Sequence, residues 1–202
     1  MHVNLQGNNT KDVQVRLEAE TQNKLDVKTL TLTGAMAALI CVLGPLSIPL
    51  PVSPVPISLG TLAIYFAMYV VGMKKGVMSC CIYLLLGFAG MPVFTAYTGG
   101  IAKVLGPTGG YMIGYIFMAV IGGFFIDRWK GAMTFSFIGM VLGTIVMYAF
   151  GTLWLSYQAG IGFGAALAAG VLPFILGDLA KILIAMIVGK QVRSRLNRAG
   201  CL

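Results

Sequence analysis

The sequence predicts an all-α membrane protein with six transmembrane helices and both termini cytoplasmic, on three observations. The chain is 58% hydrophobic and only 10% charged, with a mean hydropathy of +0.89, whereas an average soluble domain is about 25% charged. Apolar runs of about 20 residues, enough to cross about 30 Å of hydrocarbon, can be laid down six times. The basic residues cluster at alternate connections between those runs.

Taken in order, the expected spans lie near Leu30 to Leu46, Ile57 to Met73, Val77 to Phe94, Thr108 to Ile126, Ala132 to Ser156 and Gly162 to Gly189. Residues 1–28 are polar, mixed in charge and without the apolar core of a cleaved signal peptide. They are expected to form a tail, disordered or partly vector-derived, ahead of a membrane domain over residues 29–198.

Orientation follows from the basic residues. Lys11, Arg16, Lys24 and Lys28 precede the first span, Lys74 and Lys75 separate the second and third, Arg128 and Lys130 the fourth and fifth, and Lys190, Arg193, Arg195 and Arg198 follow the sixth. The other connections hold only Lys103. Six spans with both termini inside satisfy the positive-inside rule at every loop. The net charge of +8 therefore reads as an orientation signal and not as a nucleic-acid patch. Trp129 and Trp154 fit anchors at the two interfaces.

Composition also excludes chemistries. The single histidine is His2, and the spans hold no paired carboxylates, so neither a zinc site nor a His-based triad can be assembled. Cys41, Cys80 and Cys81 lie in spans and Cys201 in the cytoplasmic tail, without metal-binding spacing, and read as small apolar residues. No G-x-x-x-x-G-K-[ST] loop is present, so ATP chemistry must come from another chain.

The outer connections are the irregular ones. Five of the eight prolines fall between Pro45 and Pro56. Proline fixes its own φ and holds its predecessor extended, so this segment reads as a stiff strap, or as a plain connector. The next outer connection, Gly90 to Tyr111, is rich in glycine. Either its main-chain N–H groups approach an anionic ligand, helped by the following helix N-terminus, or its glycines serve only turns and close packing.

The most informative feature is Asp178 with Lys181, in the last apolar stretch. An intramembrane charge costs about 2.5–3.5 kcal/mol on insertion scales, so a retained pair is a functional-site candidate. At i and i+3 the two side chains lie about 60° apart on one helical face. They can address a guest as carboxylate acceptor and ammonium donor, suiting a urea-like or amide-like group, or they can form a structural salt bridge. The helix carrying them starts either near Gly162, with Pro173 a kink, or at Pro173, which puts Asp178 about one turn below the outer surface. On the first span, Gly34, Ala35 and Ala38 form a stripe of small residues that permits close helix contact, with a partner or internally.

Pro54-Val55-Pro56-Ile57-Ser58-Leu59, Gly99-Gly100, Gly106-Pro107-Thr108-Gly109-Gly110-Tyr111 and Pro173 followed by Gly177-Asp178-Leu179-Ala180-Lys181, in this order, resemble the pattern of the BioY family, the biotin-specific S components of energy-coupling factor (ECF) vitamin importers. The resemblance covers roughly Leu30 to Arg198. It implies an S-component fold that captures biotin from outside and reorients in the lipid bilayer of the bacterial plasma membrane, driven by a transmembrane coupling protein and two ATPases. No cofactor, metal or nucleic acid is implied. Asp178 and Lys181 are then expected at the ureido ring, with Tyr97, Thr98, Gly99, Gly100, Thr108 and Tyr111 shaping the pocket, and the Gly34, Ala35, Ala38 stripe at the coupling protein. Lys103 departs from the apolar character associated with its segment. The competing reading is a proton-coupled secondary carrier in which Asp178 loads the proton. No repeat between spans one to three and four to six supports it.

Overall fold

The computed structural model describes residues 27–51 and 53–201. The tail expected over residues 1–28, with His2, lies outside the described residues apart from Val27 and Lys28. Helix α1 (Val27–Leu43) leads into a hairpin, β1 (Ser47–Leu50) and β2 (Ser53–Ser58). There follow α2 (Gly60–Phe88), a 3₁₀ turn (Thr95–Tyr97), α3 (Ile101–Val104), α4 (Gly109–Arg128), α5 (Met133–Ala159), α6 (Phe163–Gly170) and α7 (Ile175–Arg198).

The 29 residues of α2 are not one rod. Gly72 has φ 81° and ψ −177°, outside helical geometry, and divides the element into arms over residues 60–71 and 73–88. The arms double back on one another. A Cβ built on Gly76 would stand 2.8 Å from the Cα of Met68, although eight residues of continuous helix span about 12 Å. The reversal thus falls two residues before the expected Lys74-Lys75-Gly76 loop, and both lysines belong to the second arm. Glycine is required at the corner for two reasons. Its φ is one that L residues rarely adopt, and a Cβ there would meet Asp127 Oδ1 at 2.6 Å. Asp127 occupies that space to accept the N–H of Met73 at 2.8 Å, satisfying a donor at the start of the second arm.

By length and apolarity α2, α4 and α5 suffice to cross a membrane, and the pair α6–α7, bent by 46°, gives a fourth when taken as one broken span. Helix α1 is a shorter apolar helix, and α2 runs as two arms over residues 60–71 and 73–88. Large apolar side chains such as Leu176, Leu183, Phe124 and Ile187 face outward, as lipid-facing positions must.

Contacts sort the connections onto two ends. At one end Lys28 Nζ reaches the carbonyl of Gly200 at 2.8 Å, Arg193 donates to the carbonyl of Tyr69 at 2.8 Å and stands 3.8 Å from Asp127, and Tyr69 OH donates to Gly131 O at 3.1 Å. The basic connections therefore share one end. The hairpin, the 3₁₀ turn and α3 lie at the other, where Trp154 Nε1 bonds Gly106 O at 2.8 Å.

The expected proline strap is an ordered antiparallel hairpin, pairing Ser47 with Ser58, Ile48 with Ile57 and Leu50 with Ser53, with an irregularity between Ile48 and Leu50. With an isolated antiparallel bridge between Phe94 and Thr98, it is the departure from an all-helical chain among the described residues. Two strands have only edges, where prolines cost no ladder bond. Ser58 Oγ locks the hairpin to the bundle by donating to Gly44 O at 3.0 Å and accepting the N–H of Gly60 at 2.9 Å.

Helices α4 and α5 meet backbone to backbone. A Cβ on Gly114 would stand 2.8 Å from Met147 Cα, and one on Gly143 2.8 Å from Met118 O, the close approach small residues permit between membrane helices. Buried Met68, Met118, Met140, Met147 and Met186 fill the space around them, a use suited to their unbranched, adaptable side chains.

Candidate ligand-binding site

The site begins with a break in a helix. Residues 171–174 form a turn between α6 and α7, and Pro173, lacking an N–H, cannot carry a helical ladder through it. The outcome lies between the two expected starts: a helix runs from Phe163 to Gly170, Pro173 falls in the turn, and a new helix begins at Ile175. Asp178 lies in the first turn of α7, its own N–H bonded to Phe174 O at 2.8 Å. A carboxylate there is favoured by the helix macrodipole.

Asp178 is 4% exposed and Lys181 8%. Lys181 Nζ stands 2.9 Å from Asp178 Oδ1 and 3.0 Å from Thr61 Oγ1. Thr61 Oγ1 donates to the same Oδ1 at 3.4 Å, and Tyr148 OH donates to Oδ2 at 2.5 Å. Neither charge faces lipid. The pair makes the salt bridge that the structural reading required, but its bonding capacity is not used up. An ammonium has three donors and meets two acceptors among the described residues, and a carboxylate with about four acceptor positions meets three donors. One N–H can still be given to a carbonyl and one N–H accepted.

The pair lines a hollow of about 50 Å³. Its wall includes Val55 and Pro56 of the hairpin, Thr61 of α2, Thr95, Thr108 just before α4, Tyr111 and Tyr115 on α4, Tyr148 of α5 and Phe174 of the turn before α7. Small-molecule sites usually measure about 300–1,000 Å³, so a vitamin-sized guest requires the hairpin, the loops or the α6–α7 corner to move outward. A second cavity of about 470 Å³ lies between α5, α6 and α7, lined by Ile145, Phe163, Leu167, Ile175 and other mainly apolar residues. Asp178 and Tyr148 line both cavities and so form a shared wall.

Of the expected pocket residues, the structure brings Asp178, Lys181, Thr108 and Tyr111 to the hollow. Tyr111 is held by its OH, which donates to Gly170 O at 2.9 Å. Tyr97, Thr98, Gly99 and Gly100 are not among the lining residues. Tyr97 is 66% exposed with φ 56°, Thr98 Oγ1 bonds Thr95 O at 2.8 Å, Gly99 packs on Met91, and Gly100 N–H is taken by Gly87 O at 2.7 Å. These residues shape the loop that carries Thr95. Lys103 lies half-buried on α3 and is not among the residues lining the hollow, and burial lowers the pKa of its ammonium. On α1, Gly34, Ala35 and Ala38 face outward while neighbouring Ala37 is buried, so the stripe is not used for internal packing.

Sequence reasoning missed Thr61 and Tyr148, the two hydroxyls on the charged pair. A signal existed for the second: Thr144, Tyr148 and Thr152 recur every four residues on α5, a polar stripe on one face of an otherwise apolar helix. Thr144 Oγ1 shares a hydrogen bond of 2.6 Å with Tyr65 OH, beside the site.

Residues 18–198 match the family model described as the BioY family. The "Biotin transporter BioY2" of Lactococcus lactis subsp. cremoris (strain MG1363) is 36% identical over 161 residues, covering 80% of this chain and 87% of that protein. The "Probable biotin transporter BioY" of Pyrococcus horikoshii is 35% identical over 169 residues, 84% of this chain and 98% of that one. Among solved structures, "Crystal structure at 2.1 A of the S-component for biotin from an ECF-type ABC transporter" superposes with a TM-score of 0.79 at 36% identity, covering 85% of this chain and 94% of that chain.

Proposed function

Because the chain belongs to the BioY family, we propose that it is the biotin-binding S component of an ECF-type importer. It captures biotin at the outer end and delivers it inward by reorienting on a coupling protein driven by two ATPases in a bacterial plasma membrane. The observation that carries this reading is the buried Asp178–Lys181 pair on a hollow at the outer end of the bundle. The ureido ring offers N–H donors and one carbonyl, and the pair retains one acceptor position and one donor for them. The tyrosine faces around the hollow suit a small fused ring.

Placement of the basic connections at the end opposite the hollow supports an outward-facing site and cytoplasmic termini. The outward Gly34, Ala35 and Ala38 stripe gives the coupling protein a surface for close helix contact. Calorimetry of the purified protein with biotin tests the reading. Asp178→Asn is expected to weaken binding more than about tenfold, the scale of a hydrogen bond to a charged group, while the variant stays monodisperse. Unchanged affinity removes Asp178 from the site.

A further inference from the structure

Four buried side-chain oxygens lack a hydrogen-bond partner among the described residues, and two of them, Thr95 Oγ1 and Thr108 Oγ1, belong to residues lining the hollow that holds Asp178 and Lys181. Thr95 and Thr108 are 9% and 8% exposed. A buried hydroxyl without a partner loses the hydrogen bonds it made to water, so such groups call for an explanation where they occur. Local structure supplies none. Thr108 occupies the N-cap position of α4, where threonine ordinarily bonds an N–H one turn on, yet its side chain makes no such bond. Thr95 opens the 3₁₀ turn and uses its carbonyl, not its hydroxyl, to hold Thr98.

The two hydroxyls stand at a different level from the charges. Thr108 immediately precedes α4 at the outer end, whereas Asp178 and Lys181 lie about 4.5 and 9 Å along α7 from its outer start. The hollow therefore has a deep charged pole and a shallow pole of two neutral donors, with the positive end of the α4 dipole behind it. We infer that Thr95 and Thr108 form the carboxylate subsite, donating their hydroxyl protons to the carboxylate of the ligand whose polar ring lies against Asp178 and Lys181. This rests on the biotin reading above and adds to it that the acid end is read by uncharged donors, Lys103 not being among the residues that line the hollow.

The test is calorimetry with biotin and with its methyl ester on the wild-type protein and on Thr95→Val, Thr108→Val and the corresponding Ser variants. Valine keeps the shape and removes the donor. Each Val variant is expected to weaken biotin about tenfold, as for a charge-assisted hydrogen bond. The ester, whose neutral carbonyl gains less from a donor, should lose distinctly less, and the Ser variants should stay near wild type. Unchanged biotin affinity in both Val variants, or equal losses for acid and ester, overturns the assignment and leaves the biotin reading standing. A wild-type protein that binds neither compound overturns both.

Discussion

Tyr148 donates its phenol proton to Asp178 Oδ2 across 2.5 Å, from α5 to the first turn of α7. That bond fixes the carboxylate from the side opposite Lys181, which holds Oδ1. It also ties together the two helices that separate the small polar hollow from the larger apolar cavity. Tyr148→Phe removes a donor from a buried carboxylate without removing the ring. It is expected to lower stability by about 1–3 kcal/mol and to weaken biotin binding, read by thermal unfolding in detergent and by calorimetry.

The charged pair can be separated from its structural role by replacing one member or both. Lys181→Met alone leaves Asp178 as a buried charge without its cation, and single removals of this kind cost about 3–5 kcal/mol. Asp178→Leu combined with Lys181→Met removes both charges, and such exchanges are often neutral. The double variant should therefore unfold near the wild-type temperature while binding no biotin. A salt bridge kept only for the bundle would give the first result without the second.

Gly72 turns the chain with a positive φ against the Asp127 carboxylate. Gly72→Ala should destabilise the protein by about 1–3 kcal/mol from backbone strain, with the displaced carboxylate adding to this. Asp127→Ala in the same chain removes the collision but not the strain, so recovery should be partial. Thermal unfolding of the three variants measures the division.

On the outward stripe of α1, Ala38→Phe should prevent the chain from copurifying with the coupling protein proposed above, since a bulky residue blocks the close helix approach that small residues allow. Biotin affinity of the isolated chain should be unchanged because α1 contributes nothing to the hollow's lining.

The sequence made the membrane fold and the charged pair readable for the same reason. Each charge in a hydrocarbon-facing chain carries information, and there are few of them. Basic residues therefore marked one end of the bundle, and Asp178 and Lys181 stood out in their span. Turn geometry was less readable. The reversal at Gly72 depends on Asp127, 55 positions away and invisible to any local pattern, so the neighbouring lysines seemed the natural loop. The glycine-rich loop misled in a related way. Gly99 and Gly100 have the composition of a ligand cradle, but Gly99 packs against Met91 and the N–H of Gly100 is taken by Gly87 O. The hydroxyls that reach the hollow come from positions such as Thr61 and Thr95, whose local sequence gives no hint of a shared wall. The prolines between Pro45 and Pro56 predict extended backbone, which β1 and β2 have, yet strand pairing depends on Leu50 and Ser53 meeting across the hairpin.

A hollow of about 50 Å³ around the charged pair also has a kinetic consequence. If capture must wait for the hairpin or the α6–α7 corner to swing aside, the association rate is governed by how often that opening occurs and should fall below the ordinary range of about 10⁵–10⁷ M⁻¹s⁻¹. The same gating slows escape, so the vitamin's residence time is set by motion of the covering segments as well as by the strength of its hydrogen bonds.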